Sequence, residues 1–387
     1  MKRATFVILC LEGAILSFNV AACSALIPSI SKEFGIAQFH AGPLIWLYML
    51  AYGVFALFYG PLVRVFDAKK IELVCFLLFS FSNLLAAVSG NVITLFTARF
   101  LMGAFGASVI PLVLILIANH TETAGRGKLL GIFFSATFVA SLLGLFLSGI
   151  ISWRLIFLIP AILGFILLGC MYFYLPNFTP ASKGPRINYL SVFKDKSAVA
   201  IFAYIFLISL FYHGVQQWLA VYFSSQFKFS QFLVSMLITL TSLSGIFGEV
   251  IGGYLSDKIG RLKTVNFGIM FMILAVFSLL IKMPVIILAL VMIVWGLGWT
   301  FSHVSLSVML TDLPKEFLNE AASLNSGVRF LSGGIGAVLG GIIMQRSFSL
   351  GFGVFGFCFL GLLFFNKAFG MVKTSSLIYL NNNGRTK

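Results

Sequence analysis

The chain has 387 residues, 60% of them hydrophobic and 10% charged. A soluble domain carries roughly 25% charged residues, so this composition excludes an ordinary soluble globular protein and points to one that lives in a bilayer. The formal net charge of +15 would suit a nucleic-acid partner in a soluble chain, but here the basic residues sit in short loops between apolar runs, where they orient a membrane protein, and no nucleic-acid partner is expected.

A membrane-crossing helix needs ~20 apolar residues. The first such run lies near 5–27. Met1-Lys2-Arg3 ahead of it and Val20-Ala-Ala-Cys23 within it resemble a signal peptide. The run is longer than the ~7–15-residue core of a signal peptide and holds Glu12 and Asn19, so it is read as the first span. Further runs near 41–63, 71–89, 92–118, 128–150 and 153–175 follow. A polar stretch with Pro180, Gly184 and Pro185 then precedes a second set near 197–222, 230–254, 264–282, 284–310, 321–345 and 347–370. The expected fold is an all-α membrane protein of about twelve spans, with short connections that make neighbouring helices antiparallel. The expected organisation is a six-helix bundle over 1–176, a cytoplasmic linker over 177–196, a second six-helix bundle over 197–372 and a cytoplasmic tail over 373–387.

Lys and Arg are shared unevenly between alternate loops. Lys2, Arg3, Arg64, Lys69, Lys70, Arg126, Lys128, Lys258, Arg261 and Lys263 fall on one side, together with the basic residues of the linker and tail. The opposite loops hold Lys32, Arg154, Lys228, Lys282 and Arg346. This bias places both termini in the cytoplasm, and the expected location is the cell inner membrane as a multi-pass protein. The five Cys lie inside apolar runs with no disulfide or metal spacing and read as small buried hydrophobes. No phosphate loop, metal-ligand cluster or nucleophile elbow is present, so neither a cofactor nor an enzymatic activity is expected.

One polar turn organises the chain: Gly253-Tyr-Leu-Ser-Asp-Lys-Ile-Gly-Arg-Leu-Lys263, with Asp257 placed to face a helix N-terminus and Gly260 for a left-handed turn. A degraded copy, Gly60-Pro-Leu-Val-Arg-Val-Phe-Asp-Ala-Lys-Lys70, sits half a chain earlier and implies two similar halves. In that copy Arg64 replaces the acid and Asp67 replaces the glycine, and the two can pair at i, i+3. Two six-helix halves, a mid-chain linker and this loop after the second span of each half resemble the major facilitator superfamily. Ala25-Leu-Ile-Pro28 with Lys32-Glu33-Phe34-Gly35, Arg99-Phe-Leu-Met-Gly103 and Trp153-Arg154 with Phe157 resemble its twelve-helix drug:proton antiporters, the Bcr/CflA-like group. The fifth span departs from that group, because Ala140-Ser-Leu-Leu-Gly144 keeps the small-residue spacing but lacks the expected proline. The resemblance implies a central cavity lined by the first, fourth, seventh and tenth spans, and transport by rocking of one half against the other.

The ionisable groups within the spans are few, and each costs ~2.5–3.5 kcal/mol unless it has a partner, water or a task. Glu12, read as the one carboxylate deep in the first half, is a candidate proton carrier, since a buried carboxyl can take up and release a proton near neutral pH. A fixed salt bridge or a gate contact is the alternative. Arg99 lies about ten ångström in from the other end of its span. By resemblance it tunes a nearby acid, with anion binding or a bridge to a backbone carbonyl as alternatives. Glu249, toward Arg126 or Lys128, and Arg329, toward Asp67, are read as gate charges that pair across the halves, with substrate binding as the alternative; Asp257, Arg261, Arg64 and Asp67 complete the gating candidates. His213, Gln216 and Gln217 share one helix face, and Trp295, Trp299 and His303 form a stripe at i+4 steps. These residues, without Trp295, and Asn19 are the candidate substrate contacts. Gly327, Gly336 and Gly340 in the eleventh span, and Gly144 with Ser148 in the fifth, form seams for close helix contact.

The function expected is a monomeric secondary active transporter that moves a small organic solute by alternating access, coupled to protons, with efflux favoured. A proton-coupled importer of a nutrient or siderophore, and a transport-inactive receptor or scaffold, are the alternatives.

Overall fold

A computed structural model describes residues 2–62, 65–120, 123–177, 189–192, 194–311, 313 and 318–365. The described chain is helical. In order, α1 (Arg3–Phe18), α2 (Ala22–Phe34), a 3-10 turn (Gln38–Ala41), α3 (Pro43–Leu62), α4 (Ala68–Ala87), α5 (Val92–Gly106), α6 (Val109–His120), α7 (Thr123–Leu147) and α8 (Trp153–Tyr174) form the first half. The short α9 (Tyr189–Val192) precedes α10 (Lys196–Gln216), α11 (Leu219–Gln226), α12 (Gln231–Lys258), α13 (Arg261–Ser278), α14 (Val285–Thr311), α15 (Leu318–Arg346) and α16 (Phe348–Phe365).

Ten helical stretches are long and apolar enough to cross a membrane, α1 and α2 form an eleventh if taken as one span bent by 42°, and α16 is a shorter apolar helix. Large apolar side chains such as Phe58, Phe173, Phe357 and Phe364 are more than half exposed. A surface of that kind belongs against lipid.

Two compact units emerge, Met1–Ile187 with Leu219–Met236, and Asn188–Trp218 with Leu237–Lys387. The same pairings recur inside each. In the first unit α1 packs on α7, α3 on α5 and α4 on α8. In the second, α10 packs on α15 and α13 on α16, and α12 meets α14 where Gly248 and Gly252 lie against Thr300 and Phe301. Small residues set these distances. A methyl group on Gly144 of α7 would collide with the Phe18 carbonyl oxygen at the end of α1, and one on Gly340 of α15 with the Gly214 carbonyl of α10.

Both units also break their first long helix. Asn19 ends α1, and its side chain donates to Asn83 Oδ1 on α4. Gln217 ends α10, and the next residue, Trp218, donates from Nε1 to the Ala337 carbonyl of α15 at 2.9 Å. Each break thus carries a side chain hydrogen-bonded to a neighbouring helix. In the first unit Gln231, at the start of α12, donates to the Ala25 carbonyl at 2.8 Å, and Ser148 shares a hydrogen bond with Ser235 at 3.0 Å.

At the other end of α2 a cluster joins two segments far apart in sequence. Arg154 bridges to Glu33 at 2.6 Å, and Trp153 Nε1 donates to the other carboxylate oxygen. Arg154 also donates to the Ala87 and Ser89 carbonyls at 2.8 and 2.9 Å, closing the C-terminus of α4. The ion pair is 36% and 42% exposed, so its charge attraction contributes little. The two carbonyls matter more. R154A is expected to cost about 1–2 kcal/mol, against a few tenths for E33Q. A detergent melting curve reads both, and equal losses would show that the carbonyl contacts are idle.

Candidate functional site

Three polar places lie within the helices. The first is in α1 and α4. Glu12 and Glu72 are both wholly buried. Glu72 lies on the buried stripe of α4, with Ala68, Cys75, Phe76, Phe79 and Asn83 at helical spacing. Neither carboxyl has a hydrogen-bond donor among the described residues. The two lie close enough for their charges to interact, and a hydrogen bond between them would need one of them to hold a proton. Nearby donors are spent elsewhere: Tyr59 donates to the Ala104 carbonyl at 2.8 Å, and Cys75 donates to the Tyr59 hydroxyl. Tyr52 and Tyr59 of α3 and Cys75 of α4 are further titratable groups near Glu72. The expectation that Glu12 is the one deep carboxylate of the first half is therefore corrected. Glu72 sits close to the basic pair Lys69-Lys70 and reads in sequence as a loop flank, but its first helical turn is packed against α6, where Ala68 and Ile71 meet Leu112 and Ile115.

The second place is Arg99, which is 1% exposed. The resemblance implied that it tunes a nearby acid. Its Nε instead donates to the Leu44 carbonyl of α3 at 2.8 Å, and Nη1 meets Met102 Sδ at 3.5 Å. The guanidinium lies 4.4 Å over the Tyr48 ring and 5.9 Å from that of Phe157. No carboxylate among the described residues is within ion-pair distance of it. Arg99 thus joins α3, α5 and α8, which matches the backbone-bridge alternative. Asn19, expected as a substrate contact, is likewise fully buried and bound to Asn83 at the α1 break.

The third place is in the second unit, where α10, α14 and α15 converge. The Tyr212 ring stacks on Trp299 at 4.1 Å and 17°, and on Trp295 at 5.0 Å and 16°. His213 lies edge-on to Trp299 at 5.4 Å, and His303 is tilted to it at 5.6 Å. Trp295 Nε1 donates to Gln216 Oε1 at 2.7 Å, and Gln217 Nε2 is 3.0 Å from His213 Nδ1. The structure therefore brings together His213, Gln216, Gln217, Trp299 and His303, five of the six proposed substrate contacts, and leaves Asn19 elsewhere. It adds Tyr212 and Arg329. Arg329 is 8% exposed. It donates to Asn325 Oδ1 at 2.7 Å, to Ser307 Oγ at 3.1 Å and to the His303 carbonyl at 3.4 Å. Its three acceptors all lie in its own unit and none is an acid, so the charge expected to pair with Asp67 in a gate is already held inside the histidine–tryptophan group.

The loop motif is ordered by its glycine. Gly260 has φ +99°, the region that favours glycine, and caps α13. Asp257 is exposed in the last turn of α12 and lies close enough to Arg261, the first residue of α13, for their charges to interact. In the first-half copy Asp67 caps α4, its Oδ1 accepting from the Lys70 amide at 3.1 Å; Arg64 lies outside the described residues. Glu249 is exposed on α12. A crevice of about 410 Å³ between α1, α7 and α8 is lined by Leu11, Phe18, Leu143 and Leu163 among other apolar side chains. It has no polar group with which to orient a solute.

Residues 9–341 match the Major Facilitator Superfamily profile. The chain belongs to the major facilitator superfamily. Its similar proteins include an uncharacterised MFS-type transporter, YbcL, of Bacillus subtilis strain 168, 24% identical over 86% of this chain and 88% of that one. A probable sugar efflux transporter of Helicobacter pylori strain J99 is 24% identical over 83% of each chain. The crystal structure of a D-xylose–proton symporter has the same fold, with a TM-score of 0.74 at 17% identity over 94% of this chain and 96% of that one. As a major facilitator protein the chain is a multi-pass membrane transporter of a solute. In it, the residues that sequence reasoning missed are Glu72, Tyr212, Asn325 and Ser307. Glu72 and Tyr212 could have been found by spacing, because each continues a buried helical stripe. Asn325 and Ser307 carried no signal, since only the approach of α15 to α14 gives them a shared partner in Arg329.

Proposed function

We propose that the protein is a proton-coupled secondary transporter of the major facilitator superfamily that exports a small organic solute by alternating access. One observation carries this reading: Glu12 and Glu72 form a buried, donor-free carboxyl pair in the first unit. Two adjacent carboxylates in apolar surroundings cannot both be charged, so the pair holds at least one proton until water reaches it. A group that is protonated when closed and released when wetted is what coupling requires. The histidine–tryptophan group of the second unit, with Gln216 and Gln217, is the proposed solute site, and Asp257, Arg261 and Glu249 are the proposed gate charges. Export is favoured by the efflux-named relative and by the antiporter-like segments at Ala25–Gly35 and Arg99–Gly103. The protein is proposed to act as a monomer in the cell inner membrane, without a cofactor and without nucleic acid.

Purified protein in vesicles with an acidic lumen tests the reading. A transported solute added outside should release lumenal protons, seen as recovery of a quenched acridine dye. A solute that exchanges in counterflow yet never moves protons would refute coupling. The charge bias supports cytoplasmic ends, so green fluorescent protein fused at residue 387 should fluoresce and alkaline phosphatase fused there should stay inactive. The reverse pattern would overturn the assignment of cytoplasmic ends.

A further inference from the structure

The third polar place is rich in donors and has no acid among the described residues. Arg329 offers five N–H groups. Its described acceptors are Asn325 Oδ1, Ser307 Oγ and the His303 carbonyl, taken by Nε and Nη2. None of the described residues accepts from Nη1, and no carboxylate among them lies within ion-pair distance of the guanidinium. Nη1 is also not fully enclosed. The side chain as a whole is nevertheless more than nine-tenths buried. A buried cation with no counter-charge is costly unless an anion joins it at some stage of the cycle.

Its surroundings agree. His213 Nδ1 faces the Gln217 amide nitrogen, so with the amide as donor the imidazole proton sits on Nε2 and points onward as a donor. The His303 ring and the Trp299 Nε1 have no hydrogen-bond partner among the described residues. Trp299, His213, His303, Ser307 and Asn325 are all half-buried, so one partly open face runs along them with Arg329 beneath. Stacked Tyr212, Trp295 and Trp299 give that face an apolar wall. A group of side chains of this kind matches an acceptor-rich headgroup on an apolar body.

We propose that this site takes a small organic acid, with its carboxylate or similar oxyanion on Arg329 and its aromatic or apolar body along Trp299 and Tyr212. The proposal rests on the reading of α10, α14 and α15 as the solute site, and it does not depend on how transport is coupled. A guanidinium–oxyanion pair in a dry site is a charge-assisted contact, and losing it costs on the order of tenfold or more in affinity.

The test is binding in detergent, read by quenching of tryptophan fluorescence and by thermal stabilisation. Three probes of one shape separate the chemistry: indole-3-acetate, its neutral amide indole-3-acetamide, and the cationic tryptamine. The acid should bind on the order of tenfold more tightly than the amide, and the amine least. R329Q should abolish the preference for the acid while still binding the amide, and R329K should restore part of it. Equal binding of acid and amide by the native protein, a preference for the amine, or an unchanged preference in R329Q would each overturn the proposal. The comparison of the three probes on the native protein stands even if R329Q fails to fold. Failure of proton release in vesicles, with the acid preference intact, would remove proton coupling and leave this site standing.

Discussion

In E12Q, solute accumulation driven by a pH gradient is expected to fall by on the order of tenfold or more, while counterflow of the same solute persists. Glu12 and Glu72 are both enclosed and have no other donor among the described residues. A charged side chain at such depth costs ~2.5–3.5 kcal/mol on insertion scales, and a second like charge beside it adds to that. The pair therefore keeps a proton while closed and gives it up only when the surrounding helices admit water. Glutamine keeps the shape and a hydrogen-bond donor but cannot release a proton. Exchange of solute for solute needs no net proton movement and so survives. E72Q is expected to match E12Q, and the double variant to be no worse than either, because the two carboxyls act as one unit. A double variant that also loses counterflow would assign the pair a structural role. E12Q that accumulates solute like the native protein, with the same pH dependence, would remove the pair from coupling.

The second large effect concerns the seam between α10 and α15. A Cβ on Gly340 would run into the Gly214 carbonyl oxygen, and one on Gly336 into that of Leu210. These obstacles are backbone, which cannot rotate away as a side chain can. G340V is expected to destabilise the second unit by on the order of 3–5 kcal/mol, beyond ordinary overpacking, because the whole helix pair must separate. Fluorescence-detected gel filtration of a tagged protein should show loss of the folded peak and a lower melting temperature. Gly353 and Gly361, where an added methyl meets nothing within 4 Å, serve as controls, and alanine there should be silent. G340V with native yield and melting temperature would mean that the seam is looser than its geometry indicates. The matching substitution G144V in α7, against the Phe18 carbonyl, should behave alike in the first unit.

What was legible in sequence was whatever the bilayer dictates locally. Apolar runs of membrane length, basic loops on alternate sides and the Gly253–Lys263 turn each depend on a few neighbouring residues, and they sufficed for an all-helical membrane fold of the major facilitator kind. Helical spacing also grouped His213 with Gln216 and Gln217, and Trp299 with His303, since residues three and four apart share a face in any helix. Pairings between helices were not legible. Arg99 reads the same whether it meets an acid or the Leu44 carbonyl, and only the approach of α3 to α5 decides for the carbonyl. Glu72 continues the stripe of α4, but only the approach of α6 encloses the turn before it. Arg329 reads as a gate charge until α14 supplies Ser307 and the His303 carbonyl. The local pattern thus determined which segments enter the membrane and which faces carry polar groups. Tertiary packing alone decided which of those groups meet, because the partner of a buried charge is set by distances between helices that no single segment encodes.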